Sequence, residues 1–448
     1  MQTFKQFRSF NRTVQLLVIN QFTINLGFYM LIPYLAAHLS DGLGLATWIV
    51  GLVLGVRNFA QQGMFLIGGT LADRLGYKPL IIAGCLLRTG GFALLGVVDS
   101  VPALLLASAA TGFAGALFNP AVRAYLSQES GERRVEAFAL FNIFYQSGIL
   151  LGPLVGMALT GIAFQATCFT AAAVFAALTV LQVRALPQRK AAREATAERS
   201  VLADWRTVLA NRSFVLFSIA MIGTYVLSFQ VYLALPLEAR RLAGDGLAGT
   251  ATVASLFAVS GLLAIAGQMR ITAWCKQRWE PGVCLVVGLL VMGTAFIPPL
   301  LTAALPAATG SISVTEVVLR AVPLVLSAAL IGLAQVIVFP FEMDTIVNLS
   351  ENKIVATHYG LYNTVCGVGI MIGNLATGSV LDLARSAGMP ALPWVAMFGI
   401  GLLCAAGLAS LQRARRFSPS APRHPAVRPR SGARPRVGRR PVARRRRS

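Results

Sequence analysis

A chain of 448 residues could hold two or three soluble domains, but this one is 56% hydrophobic and 12% charged, with a mean hydropathy of +0.68. Those values exclude an ordinary water-soluble fold and point to an all-α protein that crosses a membrane many times. The net charge of +22 is concentrated: beyond Leu411 the chain carries about 14 arginines and no acid. Six cysteines lack any C-x-x-C spacing and the three histidines are isolated, so neither a disulfide framework nor metal catalysis is supported. No cofactor is implied, and the chain is not expected to be an enzyme.

With about 20 apolar residues per crossing, twelve spans follow in chain order. The first six cover 14–37, 47–71, 79–98, 101–122, 136–158 and 162–183. The second six cover 213–237, 248–269, 282–301, 318–341, 354–381 and 391–412. A polar, Arg- and Glu-containing linker over 185–212 divides two six-helix bundles, 1–184 and 213–412, and its composition suits an amphipathic helix on a membrane surface. Arg74, Lys78, Arg133, Arg134, Arg270, Lys276, Arg278 and Lys353 fall on one side, with the linker and both termini. That bias places this side in the cytoplasm of a bacterial inner membrane, with Arg240, Arg241, Arg320 and Arg385 as exceptions on the other. The tail, 413–448, is Arg/Pro-rich with almost nothing to bury, hence disordered. Anionic lipid headgroups are its natural partner, whereas it lacks the aromatic residues that single-stranded nucleic acid needs. The chain is expected to work as a monomer.

The halves echo each other. Pro33 followed by Asp41-Gly42-Leu43 matches Pro236 followed by Asp245-Gly246-Leu247. Phe118-Asn119-Pro120 with Gly148-x₃-Gly152 matches Val338-Phe339-Pro340 with Gly369-x₃-Gly373. Parallel repeats of this kind are an architecture of membrane carriers.

Between the second and third spans lies Gly69-Thr70-Leu71-Ala72-Asp73-Arg74-Leu75-Gly76-Tyr77-Lys78-Pro79, which reads as a short charged hairpin. Gly69 permits close backbone approach, Gly76 a positive-φ turn, and Pro79 the first position of a helix. Asp73 is a fixed negative charge able to cap a helix N-terminus arriving from elsewhere. The run resembles the loop signature of the major facilitator superfamily. The resemblance implies twelve spans, alternating access, and an Asp73 that fastens the first half to the start of span 11 in the outward-facing state.

In span 5, Gly148, Gly152, Pro153 and Gly156 resemble the signature of the drug:proton antiporter branch, with Met157 in place of its last glycine. The resemblance implies a face sealed against span 8. That branch carries an arginine in span 4 where this chain has Ser108. Gly55-x-Arg57-x-Phe59-x-Gln61-Gln62-Gly63 and Arg88 in span 3 look most like MdtH-type bacterial multidrug efflux carriers.

Arg57 and Arg88 fall near mid-bilayer, where a cation must face protein or water. Arg57, with Gln61, is placed toward substrate, where it could attract a carboxylate-bearing or zwitterionic compound, and equally suits an anchor. Arg88 is read as a structural intramembrane charge. Asn25 and Tyr29 on span 1, with Tyr225, Phe229 and Tyr232 on span 7, are candidate substrate contacts. No acid lies at the centre of spans 1, 4, 5, 7 or 11. Glu342, Asp344 and His358 are the proton-coupling candidates; the carboxylates are more simply read as lying in headgroup water or pairing with Lys353, and the histidine as merely hydrogen-bonded. The expected function is export of small amphipathic compounds against inward proton flow. The alternatives are a carrier of one metabolite or a non-transporting sensor with the same fold.

Overall fold

Backbone hydrogen bonds have no water to turn to inside a bilayer, so apolar stretches of this length close their bonds internally as helices. The computed structural model describes residues 2–31, 34–35, 38–45, 47–160, 162–187, 200–244, 247–308 and 313–414, and no strand occurs among them. Pro33, Asp245, Gly246, most of the linker and the tail beyond Ala414 lie outside the described residues.

The first half holds α1 (Gln2–Arg8), α2 (Arg12–Tyr29), α3 (Thr47–Gln62), α4 (Phe65–Leu75), α5 (Tyr77–Leu95), α6 (Val101–Ser130), α7 (Arg134–Thr160) and α8 (Phe164–Ala185). A linker helix, α9 (Val201–Ala210), follows. The second half holds α10 (Arg212–Ser228), α11 (Ala234–Ala243), α12 (Leu247–Arg278), α13 (Pro281–Thr294), a single turn α14 (Leu300–Ala303), α15 (Val314–Leu349), α16 (Val355–Ser386) and α17 (Leu392–Arg413). Among the described residues, eight stretches are long and apolar enough to cross a membrane, and one of them, 101–159, spans most of α6 and α7. The remaining crossings are α2, interrupted by polar Asn20, Gln21 and Asn25; the second span, broken at Gly63-Met64 into α3 and α4; and the shorter α13. Counted so, these helices are compatible with the twelve expected passes.

Packing repeats between the halves. In the first, α2 packs on α7, α3 and α5 on α6, and α5 on α8. In the second, α10 packs on α16, α12 and α13 on α15, and α13 on α17. The cross-half contacts obey the same symmetry: α4 meets α16, and α12 meets α7. Glycines carry one of these equivalences. Gly148 and Gly152 of α7 face Phe22 and Tyr29 of α2, as Gly369 and Gly373 of α16 face Ile222 and Val226 of α10.

Two expectations need correction. The hairpin is almost wholly helical: α4 runs to Leu75, α5 starts at Tyr77, and only Gly76, at φ +96°, stands between. Pro79 is therefore the third residue of α5, still within the first turn, where its missing N–H costs nothing. The α7 glycines do not seal against span 8. A Cβ on Gly148, Gly152 or Gly156 would strike Phe22, Tyr29 or Met30 of span 1, at 2.5, 2.7 and 1.9 Å. The side of α7 that meets α12 carries larger residues, with Leu150 facing Gly261 and Asn142 donating to Gln268 Oε1 at 2.7 Å. Pro153 offers its carbonyl to the Tyr34 hydroxyl at 2.6 Å, a further tie to span 1.

Candidate functional site

The halves are fastened on the face that carries Asp73. Its side chain, 7% exposed, reaches the first turn of α16. There it accepts from the Ala356 N–H at 3.1 Å, the Thr357 N–H at 2.7 Å and the Thr357 hydroxyl at 2.7 Å. The unsatisfied N–H groups of a helix start and its positive dipole end are thus met by a carboxylate from the other half. Gly69 makes the approach possible: a Cβ there would lie 2.1 Å from the Ala356 carbonyl oxygen. Across the same seam, Gly360 of α16 lies against the Phe65 carbonyl, where a Cβ would come within 2.5 Å.

The two basic residues of the motif hold neighbouring elements. Arg74 makes an ion pair with buried Asp204 of α9 at 2.6 Å, and Trp205 beside it donates to Thr70 Oγ1 at 2.8 Å. Lys78 Nζ donates to the Val183 and Leu186 carbonyls at 2.8 and 2.7 Å. The linker helix therefore packs on the 69–79 segment itself.

The symmetry-related seam exchanges the charges. Glu136, in the first turn of α7, accepts from Lys276 of α12 at 2.8 Å and pairs with Arg133 at 2.8 Å. Next to it Arg134 Nε meets Asp344 Oδ1 at 2.8 Å and its Nη2 donates to Asn348 at 2.6 Å. The expected pairing of Asp344 or Glu342 with Lys353 does not occur, since Lys353 pairs with Glu351 at 3.3 Å. Asp344 belongs to the seam.

Glu342 is different. It is 3% exposed on α15, next to Pro340, and accepts from the hydroxyls of Tyr225 (3.0 Å) and Tyr362. Among the described residues no cation bonds it directly. Arg123, from α6 of the opposite half, lies within its electrostatic reach and donates to Asn363 Oδ1 of α16 at 2.9 Å. Sequence reasoning missed Arg123, because an arginine near the end of an apolar run looks like an ordinary interfacial charge. His358 is held by its Nδ1 to the Ile354 carbonyl at 2.9 Å and packs its ring on Phe214, 4.7 Å between centroids. That is the simpler of its two readings.

The substrate candidates divide. Asn25 is buried and donates to the Tyr145 carbonyl at 3.2 Å, so it belongs to the α2–α7 contact. Tyr29 hydrogen-bonds Tyr145 and lies within reach of Arg57 and of Tyr232 from the other half. Tyr232 is nonetheless 52% exposed, although Tyr29 and Tyr145 of the other half lie within its electrostatic reach. Phe229, Tyr232 and Phe257 form an aromatic row with centroids 5.4 and 5.3 Å apart. Arg57 donates to Asn58 and Gln61 at 3.2 and 3.4 Å and stands 4.5 Å over the Phe28 ring. Arg88 is buried against that same ring.

Two symmetry-related halves, fastened together on one face around helix-terminal charges, define a secondary-transporter fold. The chain belongs to the Major Facilitator Superfamily, whose family model matches residues 17–374. It is 55% identical over 405 residues to an uncharacterized MFS-type transporter of Mycobacterium tuberculosis, covering 90% of this chain and 94% of the relative. It is 29% identical over 393 residues to the multidrug resistance protein MdtH of Yersinia enterocolitica, covering 88% and 92%. Among solved structures, the human organic anion transporter MFSD10 (TETRAN) superposes with a TM-score of 0.66 at 16% identity, covering 89% and 99% of the two chains. A peptide transporter POT bound to sulfate superposes with a TM-score of 0.61 at 18% identity, covering 90% and 94%. The protein is therefore a multi-pass membrane transporter of small molecules.

Proposed function

We propose that the carrier exports small amphipathic compounds in exchange for protons by alternating access. The observation that carries this reading is the Asp73 cap on the start of α16, which holds one face shut while Tyr232 stays exposed. The excess of Lys and Arg on the Asp73 face makes that face cytoplasmic, with both termini on the same side, so the state is outward-facing. The likeness to the multidrug resistance protein MdtH of Yersinia supports a carrier of drug-like compounds in a bacterial membrane.

Glu342 supplies the coupling. Ionised, it attracts Arg123 across the halves and favours the closed cytoplasmic seam. A proton arriving from outside removes that attraction, the seam parts, and the proton leaves to the cytoplasm as substrate enters. Substrate then travels outward on the deprotonated carrier. One chain supplies both walls of the path, which supports a monomer, and the arginine-rich tail is suited to anionic headgroups of the inner leaflet. The test is a drug-tolerance panel on cells expressing wild type, Asp73→Asn and Glu342→Gln. Raised tolerance to at least one compound, reduced in both variants, is expected. A wild type that shifts no compound contradicts efflux.

A further inference from the structure

Arg57 of α3 and Arg88 of α5 place their guanidinium carbons 4.5 and 5.0 Å from the centroid of one ring, Phe28 of α2. Arg88 also stands 5.3 Å from the Phe175 centroid. The titratable groups within electrostatic reach of the pair are Tyr29, Tyr145 and Cys85, besides each other; none is a carboxylate. In the first bundle Asp41, Asp73, Asp99, Glu129, Glu132 and Glu136 all lie in terminal turns or connections, away from mid-span. Among the described residues, two cations thus share one low-dielectric neighbourhood without a counter-ion, an arrangement that by itself costs stability.

Three of their nitrogens are also unmet among the described residues. Arg88 is 5% exposed, and its Nε and Nη1 have no hydrogen-bond partner; the Nε of Arg57 has none either. Arg57 donates from Nη1 to Asn58 Oδ1 at 3.2 Å and from Nη2 to Gln61 Oε1 at 3.4 Å, both long bonds. Aromatic faces satisfy part of a guanidinium's charge but none of its in-plane N–H groups, which match the two oxygens of a carboxylate. Gly115 of α6 lets Gln61 and Arg88 come close to its backbone, since a Cβ there would meet Gln61 Cδ at 3.1 Å and Arg88 Nη2 at 3.2 Å. Phe28 and Tyr29 offer apolar surface beside the pair.

We propose that Arg57 and Arg88 form an anion subsite that receives the carboxylate of aromatic organic acids, making such acids a transported class. Its place in a translocation path rests on the export reading above, but binding is testable without transport. The purified full-length carrier is titrated with 2-naphthoate, biphenyl-4-carboxylate and indole-3-acetate, each against its primary amide, up to millimolar concentration, with thermal unfolding as readout. At least one acid is expected to raise the unfolding midpoint while its amide does not, and apparent affinity is expected to fall tenfold or more in Arg57→Gln and Arg88→Gln. Arg57→Gln, on the less buried residue, carries the test if Arg88→Gln does not fold. Binding of none of the acids, equal binding of acid and amide, or unchanged affinity in Arg57→Gln would overturn the proposal. Because the readout is binding, a failed drug-tolerance panel bears on export alone, and drug tolerance without acid binding removes only the anion subsite.

Discussion

Asp73 and Thr357 come from opposite halves of the carrier and meet twice at 2.7 Å, through the Thr357 backbone N–H and through its hydroxyl. With the Ala356 N–H at 3.1 Å, one carboxylate satisfies three donors at the start of a long membrane helix. Hydrogen bonds to a charged partner contribute roughly 1.5–3 kcal/mol each, so this contact alone can decide which way the carrier faces.

Asp73→Asn keeps the shape and removes the charge, while its amide N–H₂ is turned on donors. A loss of about 2–3 kcal/mol of preference for the closed cytoplasmic face is expected. A cysteine placed at Thr364, which now lies against the Gln62 carbonyl at 3.3 Å, should then react with maleimide on the order of tenfold or more faster in a background without native cysteines.

Gly69 tests the same seam by volume. Gly69→Leu sets a Cβ 2.1 Å from the Ala356 carbonyl oxygen and should abolish export while expression persists. Gly90→Ala, where nothing lies within 4 Å, should leave tolerance at the wild-type level. Immunoblotting alongside the drug panel separates lost transport from lost protein.

Glu342→Gln keeps an acceptor for Tyr225 and Tyr362 but cannot carry a proton. Substrate-driven proton movement in proteoliposomes should vanish, and substrate counterflow should remain. Tyr225→Phe removes one bond only and should lower the coupled rate by less.

The Arg134–Asp344 pair should behave as a unit. Asp344→Arg alone sets like charges 2.8 Å from where an ion pair stood and should block closure. Adding Arg134→Asp should restore part of the transport rate, with a coupling energy of about 1–3 kcal/mol in a double-mutant cycle.

Much of this was legible in the sequence. Apolar runs of the right length gave the crossings, because a bilayer allows little besides helices. Asp73 was legible because its chemistry, an acid poised for a foreign helix start, resides in one short segment. The azimuth of the α7 glycines was not: spacing shows that Gly148, Gly152 and Gly156 share a stripe, but which neighbour faces it depends on how α7 is rotated against α2 and α12. Arg123 and Asn363, 240 residues apart, become partners only when the halves dock. Lys276–Glu136 and Arg134–Asp344 are hidden for the same reason. Their charges read as topology signals until the fold gives each a partner.

The most direct measurement is the distance across the Asp73 seam, between spin labels at exposed Leu75 and Lys353, by pulsed electron resonance on the reconstituted carrier. At neutral pH the wild type should show one short distance, and Asp73→Asn, or acidification of the wild type, should add a longer population. Distributions that stay the same in the variant and across pH would contradict a carboxylate-fastened, proton-released gate.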